Sequence, residues 1–165
     1  MTLAQLYDMA AALGLEIDDV PMTRIRAMSF PQGWIAVDLR RFSGEAELKC
    51  VLAHEIGHCQ TGSFYNVHST RAAREICERH ANRYAAGLLV PLAELRKALH
   101  RGIVFNRILA RIFDVTLEFI NMVLELFEHE LIAAARTRVS RREIARAATT
   151  NLLPFVRACG ITRTG

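Results

Sequence analysis

The chain has 165 residues, 52% of them apolar and 23% charged, with a formal charge of +4. That length suits one ordinary domain with a real core, and the composition excludes a predominantly disordered or fibrous chain. The positive charge comes from the end of the chain, where seven arginines from Arg136 onward stand against Glu143, so the preceding residues are slightly acidic as a whole.

Taken in chain order, Leu3, Leu6, Met9, Ala10 and Leu13 recur at helical spacing, and Gly14 suits a helix end, which predicts a short opening helix. The N-terminus lacks the basic and apolar regions of a leader, and no window reaches the roughly 18 apolar residues of a membrane span. The expectation is therefore a cytoplasmic protein without a membrane segment. Residues 24–30 alternate, Pro31-Gln32-Gly33 supplies a turn and residues 34–39 are β-prone, which predicts two antiparallel strands.

A helix is predicted over 45–59, with Ser43 as acceptor for its first amides and Glu45 and Glu47 in its first turn. Gly62 and a polar stretch separate it from a second helix over 70–90, and Pro91 opens a third that runs to His100. Residues 105–113 and 117–130 read as two helices around Asp114-Val115-Thr116, in the manner of a helix-turn-helix, with Phe105, Phe119 and Phe127 expected in the core. The Arg-rich end, with Pro154 inside it, reads as a solvated appendage. Together these elements predict a mostly helical α+β fold in which a small antiparallel sheet packs on a metal-binding helix pair. Its expected organisation is a core over 1–100, a helix-turn-helix-like segment over 101–135 packed on it, and a basic appendage over 136–165.

The chemistry concentrates in His54-Glu55-Ile56-Gly57-His58. Residues four apart share one face of a helix, so His54 and His58 can direct two imidazole nitrogens at one zinc ion, while Glu55 can reach a water beside it as general base. A third ligand is needed. Glu75, Glu78 and His80 are the nearby choices, and the apolar stripe through Ala81, Tyr84, Ala85, Leu88 and Leu89 favours Glu78, one turn before Ala81 and Asn82, without eliminating Glu75 or His80. Tyr65 and His68 follow the motif in a loop where either can supply an oxyanion donor. Cys50, Cys59, Cys77 and Cys159 match no Cys-x-x-Cys pair or disulfide framework, and they read as reduced thiols.

Three motifs in order, His54-Glu55-Ile56-Gly57-His58, Glu78-Arg79-His80-Ala81-Asn82-Arg83-Tyr84-Ala85 and Leu88-Leu89-Val90-Pro91, resemble the ImmA/IrrE family of zinc metallopeptidases. The resemblance spans residues 51–91, extends more loosely to about Phe127 and does not cover 136–165. It implies Glu78 as the third zinc ligand, at an interval from His58 similar to that of thermolysin-type, gluzincin-like peptidases. It leaves His80 incidental and gives Asn82 a supporting role. It also implies a biology: cleavage of a helix-turn-helix repressor encoded nearby on a phage or mobile element.

A DNA-binding regulator is the contrasting reading of the helix-turn-helix pattern. The helix that would enter the groove carries Glu118, Glu125, Glu128 and Glu130 and no Lys or Arg, so it would repel phosphate, and no sequence-specific DNA binding is expected. The other competing expectation is a peptidase-like regulatory or protein-binding module with little hydrolysis.

Overall fold

The computed structural model describes residues 1–136, and the predicted basic appendage beyond Arg136, with Cys159, lies outside the described residues. Helix α1, Leu3–Ala12, is held at its start by a capping box in which Thr2 accepts from the Gln5 amide and Gln5 accepts from the Thr2 amide. It buries Leu6 and Ala10.

The sheet follows, as β1 (Glu16–Asp19), β2 (Ala27–Ser29) and β3 (Trp34–Val37), in the order β1-β3-β2. The expected antiparallel pair is present as β2 and β3, with Ala27 opposite Val37 and Ser29 opposite Ile35. A third strand that the sequence did not signal, β1, adds to β3 in parallel, with Glu16 opposite Trp34. Its sequence Glu-Ile-Asp-Asp has little β propensity, so the pairing comes from tertiary context, including the Trp34 indole N–H donated to Asp18. The other side of the sheet ends in β2, whose outer edge pairs with no strand among the described residues.

Helix α2, Glu45–Thr61, is the centre of the molecule, burying Leu48, Leu52, Ala53, Ile56 and Gly57 among α1, β2 and α3. Its start differs from expectation. Gly44 is the N-cap and no side chain caps it; instead the Ser43 amide and hydroxyl both donate to the Glu47 carboxylate, so Ser43 works as a donor. Gly62, with φ of 61°, ends the helix in the left-handed conformation. Helix α3, Arg71–Leu89, starts on the Thr70 side chain, packs along α2, and buries Ala81, Ala85, Ala86 and Leu89.

After α4 (Leu92–His100) come α5 (Asn106–Phe113) and α6 (Leu117–Leu126), joined by the turn at Asp114 with Ala110 and Val115 buried. The expected helix over 117–130 is in fact two, because the chain breaks at Phe127 and α7 begins at Glu128 and runs to Arg136. The break buries the Phe127 ring beneath the Arg83 guanidinium and brings Glu130 to the same arginine. Phe119 and Phe127 are core residues as expected, but Phe105 is 58% exposed. No described helix is long and apolar enough to cross a membrane.

Candidate metal centre

Four residues apart on α2, His54 and His58 bring their Nε2 atoms to 3.0 Å, with the ring planes at 88°. Each ring is held from its far side. The Nδ1 of His58 lies 2.6 Å from the backbone carbonyl oxygen of Ser63, which can only accept, so this nitrogen carries the proton. His54 Nδ1 lies 2.8 Å from the Asn82 side-chain oxygen, an acceptor that suits the tautomer with the proton on Nδ1. In the neutral rings of that tautomer both Nε2 atoms carry lone pairs, and these face one another.

Glu78 reaches the same point from α3, its Oε2 3.3 Å from His54 Nε2 and its Oε1 3.5 Å from His58 Nε2. What lets it do so is Gly57. A Cβ at that position would stand 2.6 Å from the Ala81 carbonyl oxygen, so only glycine permits the two helix backbones to come this close, one turn from Glu78. Glu75, one turn earlier, pairs instead with Arg71 on the exposed side of α3. His80 is also outside the group, but its Nδ1 meets the Ser63 hydroxyl at 3.1 Å, so it supports the turn whose carbonyl holds His58.

Two bare imidazole lone pairs beside a carboxylate oxygen repel one another unless a cation stands between them. Ligand atoms about 2.05 Å from a tetrahedral centre are separated by roughly 3.3 Å; here the two imidazole nitrogens lie 3.0 Å apart, and each has a Glu78 oxygen within 3.5 Å, Oε2 for His54 and Oε1 for His58. Among the described residues, His54, His58 and Glu78 form the group of donors that could hold a metal ion. The donor set of two neutral imidazoles and one carboxylate fits a borderline ion such as zinc.

The Glu55 side chain leaves α2 toward β2, where its Oε2 accepts a 2.7 Å hydrogen bond from the Ser29 hydroxyl. Glu55 lines one side of a cleft of about 580 Å³, together with His54, Asn82, residues 24–27 and Phe119. Tyr65 is in the neighbourhood as expected, but its hydroxyl donates to Glu78 Oε1 at 2.7 Å. That bond, with burial and the Glu78 charge, pushes its phenol up to about 12, so it stays a donor at neutral pH. His68 is exposed, and its hydrogen bond is made by its backbone N–H to Asn66, away from the three ligands.

Among the described residues, Cys50, Cys59 and Cys77 remain outside the donor group. Burial, with the Glu55 charge adding to it, pushes the Cys59 thiol up, and burial does the same to Cys50, so neither favours the thiolate form a metal would need. The supporting contacts of Ser29, Ser63 and His80 have no signature in the sequence. Ser63 acts through its backbone, and Ser29 becomes visible as a partner of Glu55 only when β2 packs across α2.

A helix pair that gathers two imidazoles and a carboxylate beside a second glutamate is the site of a metallopeptidase-type protein. The family model of Peptidase M78, the IrrE N-terminal-like domain, matches residues 24–125, well over half of the chain, and the protein belongs to that family. Comparison with curated proteins and with solved structures gives no match.

Proposed function

We propose that the protein is a zinc-dependent endopeptidase that cuts a protein substrate, a helix-turn-helix transcriptional repressor, with Glu55 as general base. The observation that carries the hydrolytic reading is the placement of Glu55 beside His54, one of three converging donors, on the wall of an open cleft. The repressor as substrate rests on the resemblance of the motifs to ImmA/IrrE peptidases.

His54, His58 and Glu78 would hold the ion, and Asn82 and the Ser63 carbonyl keep the two imidazoles in the tautomer that ligates. Zinc bound there supplies Lewis acidity, polarising a peptide carbonyl and lowering the pKa of water to about 7. Ser29 occupies Oε2 of Glu55 and leaves Oε1 to take the proton from water and pass it to the departing amine. The free edge of β2 borders the cleft, so an extended substrate can pair with its backbone while its scissile bond lies over Glu55.

The test is incubation of the zinc-loaded protein with a helix-turn-helix repressor encoded beside its gene. Wild type is expected to produce two fragments, and Glu55→Gln, at unchanged zinc content, none. An uncut repressor would remove the substrate assignment, whereas equal cutting by Glu55→Gln would remove Glu55 as the base.

A further inference from the structure

Between α2 and α3 the chain passes through residues 62–70, and one side chain gathers this loop. The Arg74 guanidinium, on the first turns of α3, donates through Nε to the Ser69 carbonyl at 3.1 Å and through Nη2 to the carbonyls of Asn66 and Val67 at 3.1 and 2.9 Å. The same guanidinium lies 5.6 Å from the centroid of the Tyr65 ring, near cation–π range. Tyr65 in turn donates its hydroxyl to Oε1 of Glu78.

These contacts form a series. Loop carbonyls are fixed to Arg74, Tyr65 is fixed over Arg74, and the carboxylate of Glu78 is fixed by Tyr65. A glutamate has three side-chain torsions, so ordering it at the moment of metal binding costs affinity that a pre-set carboxylate retains. With Oε1 engaged by the phenol, Oε2 stays turned toward His54 Nε2, 3.3 Å away.

We propose that Arg74 and Tyr65 are positioning residues that set Glu78 in its ligating rotamer, so that metal affinity depends on this loop as well as on the three ligands. The proposal rests on the metal reading above. It also makes a sign prediction that simple electrostatics does not. Removing a cation near the site should by Coulomb attraction alone strengthen binding of a divalent cation, whereas loss of a positioning arginine should weaken it.

The experiment is zinc titration of the metal-free full chain in competition with a chromophoric chelator, for wild type, Tyr65→Phe, Arg74→Met and the double variant. Thermal unfolding of each metal-free protein serves as the control for folding. Tyr65→Phe removes one oxygen from a half-exposed ring, so it tests the idea even if Arg74→Met folds poorly. Each single variant is expected to bind zinc about 10- to 100-fold more weakly, as is usual for groups that orient a ligand. The double variant is expected to be no weaker than the worse single one, because both act through one carboxylate. Tyr65→Phe within about twofold of wild type, or losses that multiply in the double variant, would overturn the proposal. Unchanged or tighter binding by a folded Arg74→Met would remove Arg74 from it. A wild type that takes up no zinc would overturn the metal site itself, and with it this inference.

Discussion

Gly57 and Ala81 meet where α2 and α3 cross, so closely that a methyl group on Gly57 would lie 2.6 Å from the Ala81 carbonyl oxygen and 3.0 Å from its Cα. The obstacle is backbone, which cannot swing aside as a side chain would. Gly57→Ala must therefore push α3 outward, and α3 carries Glu78. The variant is expected to lose about 1–3 kcal/mol of stability in chemical denaturation. It is also expected to bind zinc more weakly while keeping all three ligands. Wild-type stability and affinity in Gly57→Ala would show that the helices can separate without consequence.

Lys49 offers a second test on the same helix. It is 1% exposed, yet it carries an ammonium, which donates to the Asp114 carboxylate and to the Met1 carbonyl. Asp114 stands at the α5–α6 turn with φ of 51°, a conformation that asparagine tolerates as well as aspartate. Asp114→Asn thus keeps the turn and leaves a buried charge without its counter-charge, whereas Lys49→Met removes charge and desolvation cost together. Because the Asp114 carboxylate is mostly in water, the loss for Asp114→Asn is expected at about 1–2 kcal/mol, below the range for fully buried pairs. Lys49→Met is expected to lose less. Urea denaturation of the two variants decides, and the reverse order would contradict this account of the pair.

Acid should weaken the fold through two carboxylates. The Ser43 hydroxyl and amide, then Arg26, hold Glu47 down at about 2, and the Arg40 side chain and the Met22 amide hold Asp38 well below the usual carboxylate range. Their folded pKa values lie below the unfolded ones, so their contribution is complete above about pH 5 and disappears as pH falls toward 2. Measured on metal-free protein, stability is expected to decline through that window, and Glu47→Gln should flatten the decline. An unchanged slope in Glu47→Gln would mean that its bonds to Ser43 and Arg26 do not persist in solution.

The centre of the molecule was legible because its chemistry is tied to helical spacing. The interval between His54 and His58 fixes a shared face, and the stripe through Ala81 and Ala85 turns Glu78 toward that face while leaving Glu75 with Arg71. Spacing alone did not separate Glu78 from its alternatives; in the packed helix pair it is Glu78 that lies beside the two imidazoles. What escaped was whatever depends on distant packing. β1 has no strand-like composition and exists because β3 offers it an edge. Ser29 reaches Glu55 only across the sheet-to-helix contact, and Ser63 works through a carbonyl that every residue possesses. The break at Phe127 interrupts a helical pattern without Gly or Pro, and its partner Arg83 lies far back in the chain.

We propose that one zinc ion is held by His54, His58 and Glu78. Elemental analysis of the purified protein, Glu78→Ala and Glu75→Ala, each exposed to the same zinc and dialysed together, tests it most directly. One zinc per chain is expected in the wild type and in Glu75→Ala, with most of it lost from Glu78→Ala. Full occupancy in Glu78→Ala, with loss from Glu75→Ala instead, would contradict it.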